Sequence, residues 1–150
     1  MSKTKKVCIA FAAATMGFAL TAVAAIDPIE KRSEIMKGVG KAAKPVGKMF
    51  KGESDYDAAV VAESLQTWKE AAMRFGRLFP EGTESGGDTE AAPAIWEDRA
   101  GFEEALKEFL GAVNAAIEAD PQTLDAAKPT VGPVFKTCKG CHDNYRIKKD

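Results

Sequence analysis

The chain has 150 residues, 45% of them hydrophobic, and its 21 basic and 22 acidic residues leave a formal charge of −1. That length fits one domain. The near balance of charge argues against nucleic acid and against an anionic membrane surface as partners, since both call for basic patches.

The first residues do not read as part of the domain. Lys3, Lys5 and Lys6 form a positive cluster, an apolar stretch from Val7 to Leu20 follows, and Thr21-Ala22-Val23-Ala24-Ala25 supplies the small-residue pattern of a signal-peptidase site. A membrane anchor is the alternative, but the stretch falls short of the roughly 18 to 20 apolar residues that span a bilayer. Residues 1–25 are therefore expected to be a cleaved leader and 26–150 an exported, periplasmic domain that makes no use of a membrane. Removing the leader takes away three lysines and leaves 18 basic against 22 acidic residues. Cys8 goes with it, so only Cys138 and Cys141 remain.

The rest of the chain reads as helices, because apolar positions recur at three- and four-residue intervals and β-branched runs are absent. The first helix is expected from about Pro28 to Phe50, with Asp27 as N-cap, Pro28 at the first helical position, a kink at Pro45 and a stop at Gly52. A second spans about Asp55 to Leu78, stopped by Phe79-Pro80-Glu81-Gly82-Thr83. A polar loop rich in Gly, Ser, Thr and Asp runs on to Pro93. The third helix covers about Ala94 to Ala119, and Asp120-Pro121 opens the fourth. Four helices with mostly short links predict an all-α, antiparallel up-down-up-down four-helix bundle. In that arrangement the start of the first helix, the long loop and the end of the fourth helix share one end. Loops this long in a compact domain are often functional.

That same end carries Cys138-Lys139-Gly140-Cys141-His142. The spacing puts two thiols on one helical turn, where they can add across the two vinyl groups of a haem, with the adjacent imidazole aimed at the iron. A thioredoxin-like redox pair would need a strand before the motif. A structural zinc site needs four Cys or His ligands, and a single histidine with two cysteines falls short. A disulfide across so small a loop would add little stability. Covalent haem is the reading that uses every residue of the motif.

With His142 the only histidine, a sixth iron ligand from the protein would have to be methionine, which raises the reduction potential. Met36, Met49 and Met73 are the candidates. Met36 lies about 14 Å along the first helix and His142 about 12 Å from the chain end, at 1.5 Å per residue, so antiparallel helices would hold them at similar levels. Met36 either binds the iron or lines the distal wall. Arg32, one turn before it, either offsets a haem propionate or is a solvated surface charge. Tyr145 and Arg146, one turn after His142, either cover the proximal side or pack the bundle end. Trp68, Trp96, Phe75, Phe102 and Phe109 read as core and haem wall.

The order of these features resembles the class II c-type cytochromes, cytochrome c′ and its low-spin relatives of the c-556 kind. The marks are Arg32-x-x-x-Met36-Lys37, Lys51-Gly52-Glu53, Tyr56-Asp57-Ala58-Ala59, Leu78-Phe79-Pro80-Glu81-Gly82-Thr83, Ala94-Ile95-Trp96 with Phe102, and Cys138 to Arg146. The resemblance implies one covalent haem c with iron, thioether bonds at Cys138 and Cys141, and His142 as proximal ligand. It makes Met36 the distal residue, and it implies haem contacts at Arg32, Ser33 and Thr83. Three functions follow as expectations. The first is a non-enzymatic one-electron carrier serving periplasmic redox partner proteins. The second is an open iron that takes up small gas ligands, nitric oxide or carbon monoxide. The third, a peroxidase-like haem, ranks last because no second histidine is present for acid–base work. Either a monomer or a homodimer is compatible with the sequence.

Overall fold

The computed structural model describes residues 27–148; the expected leader lies outside them. Four long helices, α1 (Pro28–Lys51), α2 (Ala58–Phe75), α4 (Arg99–Ala119) and α5 (Leu124–Tyr145), form the expected bundle, with a one-turn α3 (Ala94–Glu97) before α4. Neighbours around the bundle are α1 and α2, α2 and α4, α4 and α5, and α5 and α1.

Local chemistry sets the ends. Asp27 accepts a hydrogen bond from the Ile29 amide, Pro28 occupies the first turn, and α1 runs on through Pro45 until Gly52 closes it at φ +74°. Only a residue without Cβ holds that left-handed conformation cheaply. Asp57 caps α2 through the amides of Ala59 and Val60, so the helix begins at Ala58 rather than at Asp55. It ends in a 3₁₀ turn, Gly76–Leu78.

Two expected boundaries are corrected. The run from Ala94 to Ala119 is broken at Asp98, whose backbone leaves the helical region (φ −125°, ψ 64°) and whose carboxylate caps α4 through the Gly101 amide. Asp98 is thus the end of one helix and the start of the next. Likewise Asp120-Pro121 does not open the last helix. Asp120 is the left-handed C-cap of α4, and Thr123 caps α5 through the Ala126 amide.

Antiparallel pairing shows in the cross-contacts. Ser64 Oγ donates to the Ala42 carbonyl at 3.0 Å and Trp68 Nε1 to the Val39 carbonyl at 3.2 Å. The main core runs through Val46, Met49, Val61, Leu65, Trp68, Phe109, Val113, Val131 and Val134. A second cluster, Phe75, Phe79, Ala91, Ile95 and Phe102, fills the loop end of the bundle. No helix among the described residues is long and apolar enough to cross a membrane.

Candidate functional site

The end of the bundle with the second core cluster brings the motif-bearing helix, α1 and the long loop together. Cys138 and Cys141 stand on α5 as free, half-buried thiols. Burial, with the neighbouring Cys141 adding to it, pushes the Cys138 thiol up to about 11, and burial also raises Cys141. Both are therefore neutral thiols at physiological pH, unlike the acidified thiolate of a redox-active pair. Partial burial, reinforced by the Arg146 guanidinium and opposed by Glu90 and Asp143, lowers the pKa of His142. Its imidazole stays neutral near pH 7, the form that offers a nitrogen lone pair to a metal.

No group of three or more His, Cys, Asp or Glu side chains is arranged to hold a bare metal ion among the described residues. The donor set is two thiols and one imidazole on adjacent turns of one helix, with neither cysteine in a disulfide. It lacks the ligands of a zinc site and matches what a covalently attached haem uses.

Arg32 is the polar centre of this end. Only 5% of it is exposed. Nε donates to the Leu78 carbonyl at 2.6 Å, both terminal nitrogens reach the Thr83 carbonyl at 3.1 Å, and Nη1 reaches Thr89 Oγ1 at 3.4 Å. A further hydrogen bond joins Nη2 to Thr83 Oγ1. The guanidinium also lies 4.4 Å from the Phe79 ring centroid and 5.5 Å from that of Trp96. Arg32 and Thr83, both expected near a cofactor, are thus brought into direct contact. Ser33 is half-buried on the next position of α1.

Of the three methionines, Met49 is sealed in the main core and Met73 is 48% exposed on α2. Met36 is half-buried and packs on the second cluster, which also receives Trp96 and Tyr145. Edge-to-face rings continue from Phe75 to Phe79 (5.0 Å), Phe102 (4.8 Å) and Tyr145 (5.4 Å).

The far side of the loop is tied to the C-terminal turn. The Ala92 amide donates to the Tyr145 carbonyl and the Ile147 amide to the Glu90 carbonyl, at 3.0 and 2.8 Å. Arg146 grips Glu90 at 2.6 Å, and Tyr145 Oη donates to Asp98 Oδ2 at 3.1 Å. Glu90, Thr89 and Asp98 were not among the residues expected at the site. Their partners lie 47 to 57 residues away in sequence, and the only local signal was the Asp98-x-x-Gly101 cap spacing.

A helical bundle whose last helix carries a Cys-x-x-Cys-His motif in this state defines a c-type haem protein. The comparisons narrow the class. The family model for cytochrome c′ matches residues 27–146. A cytochrome c′ of Rhodopseudomonas palustris is 40% identical over 85% of this chain and 87% of its own. A cytochrome c-556 of Agrobacterium tumefaciens is 37% identical over 81% and 98%. The solved Rhodopseudomonas palustris cytochrome c′ superposes with a TM-score of 0.80 at 38% identity, covering 84% of this chain and all of that one. The chain belongs to the cytochrome c′ family, whose members carry covalently attached haem c with iron.

Proposed function

We propose that the chain is a periplasmic, non-enzymatic one-electron carrier. Its haem c is joined by thioethers at Cys138 and Cys141, with His142 as proximal ligand and Met36 as distal ligand. The haem supplies the ferric–ferrous couple. The protein's part is to hold it: α5 presents thiols and imidazole from consecutive turns, and α1 brings Met36 to the same end. The aromatic cluster keeps water away. Arg32, Ser33 and Thr83 stand where α1 and the loop meet and would line the haem edge.

The observation that carries this reading is the position of Met36, half-buried against the cluster that also takes Tyr145, one turn from His142. Histidine in the last turn of α5 and methionine near the start of α1 supply the His/Met pair of electron-transfer haems. The similarity to a cytochrome c-556 supports it.

A second reading rests on a different observation. A solved relative, cytochrome c′ from Alcaligenes xylosoxidans at 28% identity, is described as a nitric oxide complex of a variant. If Met36 only lines the pocket, this chain would take small gases at an open iron. Another relative is described as a dimer with ligand-controlled dissociation, so a gas-binding chain would also be expected to pair.

Met36→Ala decides between them. The carrier reading expects the wild type to be low-spin in both oxidation states and the variant to become high-spin. Identical spectra for the two proteins would remove Met36 from the iron and favour gas binding.

A further inference from the structure

The last turn of α5 carries the histidine of the motif. Cys141, His142 and Tyr145 all fall at the C-terminal end of the helix, which closes at Tyr145. The last carbonyls of a helix have no partner within it, and a terminal turn frays unless something outside holds it. Here the holding falls on one residue. The Tyr145 carbonyl accepts from the Ala92 amide at 3.0 Å, its ring meets Phe102 edge to face at 5.4 Å, and its hydroxyl donates to Asp98 Oδ2 at 3.1 Å. Long side chains in a helix lean back toward its N-terminus. Tyr145, three residues after His142 and four after Cys141, therefore lies over the turn that bears them.

Asp98 is built into the start of α4. Its backbone leaves helical geometry between α3 and α4, and its Oδ1 accepts from the Gly101 amide at 3.1 Å. The other carboxylate oxygen receives Tyr145. Gly101 is a second, independent sign of this arrangement. It lies inside α4, and the glycines with positive φ are Gly52, Gly82, Gly86 and Gly87. Its backbone therefore does not call for glycine, a poor helix former. A Cβ there would collide with Asp98 Oδ2 and come within 2.5 Å of Tyr145 Oη. Glycine at this position leaves room for the contact. The phenol stays protonated as its donor, because desolvation, then the hydrogen bond and charge of Asp98, raise the Tyr145 pKa.

We propose that Asp98, acting through Tyr145, is a positioning residue for the proximal ligand. It pins the last turn of α5 to the first turn of α4 and so fixes the orientation in which the His142 imidazole meets the iron. The proposal rests on His142 as the proximal ligand and holds whether or not Met36 closes the distal side. Groups behind a metal-bound histidine set its ring orientation and basicity, and these are levers on a haem's reduction potential.

Two variants of the haem-loaded protein break the pin while leaving the Asp98 charge in place. Tyr145→Phe removes the hydroxyl but keeps the ring on Phe102, and Gly101→Ala forces the two side chains apart. Each should move the hyperfine-shifted His142 ring signals in proton NMR of the ferric protein. Each should also shift the reduction potential, in the same direction, by about threefold or more in the one-electron equilibrium, which is about 30 mV at 59 mV per tenfold. The double variant should shift no further than the larger single, since both remove one contact. Tyr56→Phe, which removes a hydroxyl bonded to the Pro121 carbonyl at the opposite end of the bundle, should leave both readouts unchanged.

Lower melting temperatures for Tyr145→Phe and Gly101→Ala, with the His142 signals and the potential unmoved, would make the contact a fold contact only and overturn the proposal. So would a potential that rises in Asp98→Asn but stays at the wild-type value in the other two, since Asp98 would then act as a charge and not as a pin. Failure of the ligand reading looks different: His142→Ala with an unaltered optical spectrum would remove His142 from the iron and take the proposal with it.

Discussion

Replacing Arg32 by alanine should be the most damaging single change at the loop end. The side chain is 5% exposed, and it holds the carbonyls of Leu78 and Thr83 and the hydroxyls of Thr83 and Thr89. A net contribution of about 1.5–3 kcal/mol is usual for a hydrogen bond to a charged group, and the Phe79 and Trp96 faces add about 0.5–2 kcal/mol. Against this stands the cost of desolvating the guanidinium, which is reflected in the lowered pKa of Arg32, where burial outweighs Asp27 and Glu84. The balance is a loss of about 3 kcal/mol, equivalent to a fall of about 10 °C in melting temperature for a domain of this size. Urea unfolding of the haem-loaded protein, followed by circular dichroism, measures the free energy. Hydrogen exchange at residues 79–92 reports whether the loop itself is released. Arg32→Lys keeps the charge but loses the fork that spans two carbonyls, so it should recover only part of the loss. A loss below about 1 kcal/mol for Arg32→Ala, with loop protection unchanged, would refute the idea that Arg32 anchors the loop.

Three further outcomes follow from the same geometry. Gly111→Ala on α4, where an added Cβ meets nothing within 4 Å, should stabilise by about 1 kcal/mol; Gly52→Ala, at φ +74°, should destabilise by a similar amount, and thermal melts of the two variants should move in opposite directions. In haem-free chain, Cys138 should resist iodoacetamide at pH 8 and react as the pH approaches 11. Because its folded pKa is raised, the folded state keeps a proton that the unfolded thiol gives up near 8.5; stability is fully present below that value and declines through about 11 by about 2–3 kcal/mol, a slope that Cys138→Ala should reduce, and that losing Cys141, whose thiol burial also raises, should reduce further, in denaturation series run at several pH values. Glu90→Gln should loosen the tail by cutting the ion pair with Arg146, seen as faster amide exchange at Ile147 with little change in the α5 core.

The parts legible in the sequence were those that local chemistry decides. The three-and-four spacing of apolar residues marked the four long helices, Asp27 and Gly52 marked the ends of α1, and the Cys138 to His142 spacing marked the haem motif. Asp98 was missed because Ala94-Ile95-Trp96 and the run from Phe102 share one apolar period. Nothing local shows that Asp98 leaves helical geometry to cap Gly101 and meet Tyr145. Asp120-Pro121 read as a helix start because proline favours the first turn, yet Thr123 provides the cap actually used. The role of Arg32 was the least legible. Its partners at Leu78, Thr83 and Thr89 come from a loop whose path depends on Phe79 and Trp96 packing over the guanidinium, and on Glu90 and Ala92 binding the chain end. Those contacts join segments that only the folded bundle brings together.

One spectroscopic comparison bears most directly on the carrier reading: the optical spectrum of the haem-loaded wild type, oxidised, reduced, and reduced under carbon monoxide. A distal methionine predicts low-spin bands in both states, a weak long-wavelength methionine–ferric band, and no response to the gas. High-spin bands that shift when carbon monoxide is admitted would contradict it and make the chain a gas binder.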